Sequence, residues 1–112
     1  MEKQALEEGS IKNLQEHVAY KIKERGFGDE SLHERLLLLT EEVGELMRAC
    51  RKASGMNVDQ NKEIVNNIGE EIVDVINMLF AVAIKAGIDV EKEFRLKEEI
   101  IDKRTYARAK EK

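Results

Sequence analysis

The sequence predicts an all-α protein: one domain over residues 1–112, folded as an up-and-down bundle of about four helices. Three observations carry this. Charged residues make up 38% and aromatics 4%, with no proline and no tryptophan, so strong helix formers dominate. Apolar residues recur with helical spacing, and the alternation that marks strands is scarce. Helix start and stop signals follow one another at short separations, which makes consecutive helices fold back as antiparallel neighbours.

The elements follow in order. Residues 1–10 are expected to fray, and a first helix runs from about Ile11 to Arg25, stopped by Gly26 and Gly28 in "RGFGDES". Ser31-Leu32-His33-Glu34 has the form of a capping box, opening a second helix that reaches about Ala53. "SGMNVDQN" is a polar linker, with Gly55 as the helix stop. A third helix spans about Lys62 to Ala86 and ends at Gly87. Asp89 caps a fourth, from Val90 to about Arg108, with Glu91 and Glu93 favourably near its N-terminal dipole.

Within this frame the chain repeats itself. Leu39-Thr40-Glu41-Glu42-Val43-Gly44-Glu45-Leu46 aligns with Ile68-Gly69-Glu70-Glu71-Ile72-Val73-Asp74-Val75, acid on acid and apolar on apolar. At 100° per residue, Leu39, Val43, Leu46 and Cys50 form the expected core stripe of the second helix. Glu42 stands on its shoulder beside Leu38 and Ala49, and Glu45 lies slightly further round. On the third helix the stripe is Ile68, Ile72, Val75, Leu79 and Ala86, with Glu71 and Asp74 on the equivalent shoulder next to Met78. Antiparallel helices related by a local two-fold bring equal offsets to the same side. Glu42, Glu45, Glu71 and Asp74 should therefore converge on one cleft.

Four carboxylates in one place need a reason. Like charges about 5 Å apart repel by roughly 3 kcal/mol per pair at an effective dielectric near 20. Glutamates three or four residues apart on a helix ordinarily form solvated pairs with Lys or Arg. The duplicated pattern favours a shared cation instead. Carboxylates without interleaved His or Cys suit a hard, oxygen-seeking ion, so Mg²⁺ is preferred, with Mn²⁺ as a substitute. Mg²⁺ recruits substrate phosphates, which points to a phosphorylated ligand such as a triphosphate. Glu41 is placed to accept a proton at the edge of the site, whereas Glu70 is a surface group. Asn77 and Asn67 flank the acidic stripe, either as hydrogen-bond partners of a phosphate or sugar or as polar spacers. His33 is a ligand-binding candidate or a surface residue of the helix start; His17 is ordinary. Tyr20, Phe27 and Tyr106 are the few rings able to stack on a base, with packing as the plainer role.

The composition excludes other classes. A net charge of −4 with mixed signs argues against a nucleic-acid polymer as partner, and the basic "DKRTYARAKEK" reads as a solvated helix end. The N-terminus lacks the basic-then-apolar order of a signal peptide. The apolar run from Ile72 to Ile84 is too short for a membrane span and carries Asp74 and Asn77. A single cysteine, Cys50, on an apolar stripe is expected to be a buried thiol in a reducing, cytoplasmic compartment. That apolar run also has no single face: Val73, Ile76, Leu79, Phe80, Val82, Ala83 and Ile84 surround the helix. A helix apolar all round belongs in the middle of something, so homo-oligomerisation is expected to complete the bundle.

The acidic motif E-x-x-E followed by E-x-x-D, at Glu42/Glu45 and Glu71/Asp74 with 25 residues between the blocks, resembles that of the MazG-type all-α nucleoside triphosphate pyrophosphohydrolases. "LLLLTEEVGEL", "GEEIVDVINMLFAVAIKAGID" and "LKEEIIDKR" are similar to that family's three segments, so the resemblance covers about residues 31–106. It implies Mg²⁺-dependent cleavage of a nucleotide between its α and β phosphates, giving a monophosphate and pyrophosphate. It also implies assembly into a homodimer or homotetramer. By the same resemblance Glu42, Glu45, Glu71 and Asp74 are metal ligands, Glu41 assists catalysis, and Lys97 and Arg104 contact phosphates. Where many members carry asparagine four residues after that lysine, this chain has Ile101. Two other readings remain open: a phosphoribosyl-ATP pyrophosphohydrolase using the same cleft, and a non-catalytic helical module whose acidic face binds basic partners.

Overall fold

A computed structural model describes residues 6–55 and 68–105 of the chain. The expected first turns of the third helix, Asn67, Tyr106 and the end of the fourth helix near Arg108 lie outside the described residues. All regular structure among the described residues is helical: α1 (Ser10–Glu24), α2 (Leu32–Ala53), α3 (Ile68–Ala86) and α4 (Val90–Asp102).

The boundaries follow from local chemistry. α1 closes with the Phe27 amide donating to the Ile22 carbonyl at 2.9 Å, across Gly26 at φ 79°. This is a Schellman closure, which needs a left-handed residue after the last turn, and glycine adopts that conformation without steric cost. α2 opens with the anticipated capping box: Ser31 Oγ accepts the Glu34 amide at 3.1 Å while Glu34 Oε1 accepts the Ser31 amide at 3.2 Å. α3 repeats the glycine closure, with Gly87 at φ 71° and the Ile88 amide on the Ala83 carbonyl at 2.9 Å. Asp89 then caps α4 by accepting the Lys92 amide at 3.2 Å. α4 is shorter than expected. Lys103 and Arg104 donate to carbonyls only three residues back, Ile100 and Ile101, so the ladder tightens and stops. Arg104 consequently stands beyond the helix.

α2 and α3 form the main seam, and they run antiparallel. Arg35, near the start of α2, bonds the Ala81 carbonyl late in α3, while Glu42 meets Glu71 and Asp74 at the other end. α1 lies across α3, and α4 is fastened to α1 by its own first turn. Gln15 donates to the Ile88 carbonyl at 2.8 Å and accepts the Val90 amide at 3.0 Å. Glu91 accepts the backbone amides of Gly9, Ile11 and Lys12, each at 3.1 Å. Arg95 reaches the carbonyls of Leu6 and Glu7 at 3.4 and 3.3 Å. Residues 6–9, expected to fray, are thus bonded to α4.

The helices are rotated relative to the expected stripes. The buried residues of α2 are Arg35 and Ala49; those of α3 are Glu71, Phe80, Ala81 and Ala83. Val43, Cys50, Ile72, Leu79 and Ala86, all assigned to the core by spacing, are exposed in the single chain. The seam runs through polar positions, the Arg35 guanidinium and the Glu71 carboxylate, which apolar periodicity does not register. Cys50 is accordingly an exposed free thiol. No described helix is long and apolar enough to cross a membrane.

Candidate metal centre and adjoining cleft

Glu71 is the residue that most demands explanation. Its side chain is 1% exposed, inside the α2–α3 seam one turn into α3. A carboxylate is expensive to desolvate unless charge or hydrogen bonds compensate it. Asp74, one turn later, and Glu42, opposite on α2, supply further negative charge. One oxygen from each of Glu42, Glu71 and Asp74 lies within 4.8 Å of the others. The Glu42 carboxyl is consequently held above its usual range, chiefly by burial and then by the charges of Asp74 and Glu71, with smaller contributions from Glu45 and Glu41.

Such a group of oxygens suits a hard divalent cation. Adjacent oxygens on a Mg²⁺ with metal–oxygen distances of about 2.1 Å stand roughly 3 Å apart and opposed ones roughly 4 Å, so the carboxylates would close in by an ångström or more to share one. Their residue types exclude the thiolate and imidazole donors that would favour zinc. The donor set is of the kind that Mg²⁺ or Mn²⁺ takes, and Glu42, Glu71 and Asp74 are the residues that would hold it.

The other anticipated residues are placed differently. Glu45 is half-buried one turn along and pairs with Arg48 at 3.5 Å, outside the compact group of three. Glu41 is exposed beside Glu42, and Glu70 is exposed beside Glu71. Asn77, one turn after Asp74, lines a cleft of about 520 Å³ together with Leu38 and Met78. His33 is exposed on the first turn of α2 and does not line this cleft. Lys97 on α4 and Arg104 beyond it are both exposed and also stand outside it.

The opposite wall of the cleft comes from α1, and spacing alone gave it no role. His17 and Lys21 line it, four residues apart and therefore on a single helix face, and Arg25 follows as the C-cap of α1. That four-residue spacing of basic groups is the signal in the sequence that could have found them. Val18 and Ile22 supply the apolar floor beside them, and Phe27 stands at the rim. Tyr20 does not take part: it is exposed, with the Lys21 ammonium 5.9 Å from its ring centroid. The cleft thus joins an apolar floor, a basic wall and an amide, between α1 and the two helices that carry the carboxylates. Compared with protein-family models and with curated proteins, the chain matches none.

Proposed function

We propose that the chain is a Mg²⁺-dependent nucleotide pyrophosphohydrolase, cleaving a nucleoside or deoxynucleoside triphosphate between its α and β phosphates to the monophosphate and pyrophosphate. The observation that carries this is the grouping of Glu42, Glu71 and Asp74 within 4.8 Å, one helical turn from a cleft that Asn77 lines. Acid and cleft together match a ligand with a metal-bound phosphate chain at one end and a flat ring at the other.

In this reading Glu42, Glu71 and Asp74 hold the cation and Glu45 supports it from the next turn. When bound, the cation lowers the pKa of attacking water and offsets the charge that develops on phosphate oxygens. Glu41, exposed beside the ligands, accepts the proton that the water loses. Arg25 and Lys21 extend over the cleft and orient phosphate oxygens by charge-assisted hydrogen bonds. Val18, Ile22 and Leu38 exclude water from one face of the ring, and Asn77 offers both a donor and an acceptor to its edge or to the sugar. Lys97 and Arg104 serve phosphates only if a second copy of the chain brings them to the cleft.

Self-association belongs to this proposal. Val73 and Leu79 are 54% and 52% exposed in the single chain, and Ile72 and Ile76 lie on the same helix with much of their surface open. A homodimer or homotetramer that covers α3 removes this surface from water. A cytoplasmic location is part of the same reading, in keeping with a lone thiol.

The test is pyrophosphate release. Purified protein with Mg²⁺ is screened against canonical, modified and phosphoribosyl nucleotides, in ¹⁸O-labelled water. Monophosphate and intact pyrophosphate as primary products support the reaction. Orthophosphate with a diphosphate would mean a different bond is cut, and no turnover of any nucleotide would favour a binding module.

A further inference from the structure

Arg35 has no part in the chemistry above, yet it is among the most deeply buried side chains described, at 2% exposed. A buried guanidinium is costly to desolvate and persists where its donors are used. Nη1 donates to the Ala81 carbonyl at 2.7 Å, at the end of the seam away from the carboxylates. Nη2 donates to the Phe27 carbonyl at 3.3 Å, in the connection between α1 and α2. Nε is 3.8 Å from Glu30 Oε1, within ion-pair range, and makes no hydrogen bond.

These three partners share one property. Phe27, Glu30 and Ala81 all line the cleft. The Phe27 carbonyl also accepts the Glu30 amide at 3.3 Å, so the tight turn at the rim is closed on the same oxygen that Arg35 holds. Only one face of the cleft rim, the segment from Arg25 to Glu30, is loop rather than helix. Arg35 is the side chain that fixes this segment to α3.

We propose that Arg35 is a positioning residue that sets the height of the cleft rim over α3, and that ligand binding draws Glu30 onto its Nε. Roughly an ångström of inward movement by Glu30 brings the pair into hydrogen-bond range. Each of the three guanidinium nitrogens then has a partner, and Phe27 is held against whatever occupies the cleft. The inference deepens the nucleotide reading and rests on it for the identity of the occupant. The anchoring of the rim stands on the geometry alone.

The test uses the full chain and two variants. Arg35→Lys keeps the charge and loses the planar fork; Glu30→Gln weakens only the closing contact and leaves the core intact. Hydrogen exchange is followed at the amides of residues 26–30, without ligand and with Mg²⁺ plus an α,β-imido deoxynucleoside triphosphate. Arg35→Lys should exchange about tenfold faster there than the parent, with exchange in α3 unchanged. Nucleotide should slow exchange at the rim in the parent and fail to do so in Glu30→Gln. In turnover, both variants should raise KM about tenfold while kcat stays within about twofold. Unchanged rim exchange in Arg35→Lys, or a fall in kcat at constant KM, overturns the proposal. A parent protein that turns over no nucleotide overturns the functional reading instead, and the ligand-free exchange comparison then decides whether Arg35 anchors the rim.

Discussion

Glu91, at the start of α4, closes the N-terminus of a helix to which it does not belong: Oε1 accepts the Lys12 amide at 3.1 Å. Oε2 takes the Gly9 amide at the same distance, and α1 has no side-chain cap of its own. The first turn of a helix presents free N–H groups and partial positive charge, which a carboxylate satisfies. The hydrogen bond from the Lys12 amide, joined by those of Gly9 and Ile11 and by the Arg95 charge, holds the Glu91 carboxyl below its usual value of 4.5. A lowered folded pKa means that the unfolded chain binds the proton more readily, so stability falls on acidification. The contribution is complete above pH 4.5 and disappears as pH drops through the lowered value. Glu91→Gln should therefore lower Tm at pH 7, and the gap between variant and parent should narrow as pH falls below 4.5. A constant gap across that range would remove Glu91 from the role.

Glu71→Gln separates a metal ligand from a surface acid. Turnover should fall on the order of a hundredfold or more, the scale of losing one electrostatic contact at a reacting centre. Melting of the metal-free protein should rise, because one of three crowded charges is gone. Glu70→Gln, on the exposed neighbour, should keep nearly full activity. A fully active Glu71→Gln protein would discard the cation site.

The helix ends were legible in the sequence because they are written in local chemistry. Ser31 with Glu34, Asp89, Gly26 and Gly87 each act within a few residues, and each behaves as its type predicts. The rotation of α2 and α3 was not legible. Leu36, Leu37, Leu38 and Leu39 surround one helix as Ile72 to Ile84 surround the other, so apolar spacing selects no unique face. The seam is chosen by Arg35 finding the Ala81 carbonyl, a contact 46 residues apart that no window of sequence contains. The acidic echo survived this rotation because Glu42, Glu71 and Asp74 move together when both helices turn. Glu45 stands outside the group of three and pairs with Arg48, three residues on. The basic wall of the cleft was missed for the same long-range reason, since it depends on how α1 crosses α3.

A cation bound by the folded protein alone must raise its stability. At a concentration a hundred times its dissociation constant, Mg²⁺ stabilises by about 2.7 kcal/mol. For a chain of this size that corresponds to a rise in Tm of roughly 10 °C. Thermal melts with Mg²⁺, Mn²⁺ and matched ionic strength of K⁺ should show the shift for the divalent ions only. Asp74→Asn should abolish it. An equal shift with K⁺ would mean that the carboxylates respond to screening rather than coordination.

The last prediction concerns assembly, and the buried positions of α3 decide which residue tests it. Phe80 is 8% exposed within the single chain, so a charge there would damage the fold itself. Leu79 is 52% exposed and its neighbours Val73, Ile72 and Ile76 are open on the same helix. Covering a large aliphatic side chain contributes roughly 1.5–3 kcal/mol, so several together outweigh much of the entropy that association costs. On α4, Phe94 and Ile100 are likewise open, beyond the Val90 and Glu91 bonds that fasten its first turn to α1. A second copy that covers α3 can carry its own Lys97 towards the cleft, which a single chain leaves without that lysine. Light scattering at micromolar concentration should give a dimer or tetramer for the parent. Leu79→Asp should give a monomer with the helical circular dichroism retained and with activity lowered at least tenfold. A parent that is monomeric and fully active at that concentration would end the case for a shared site.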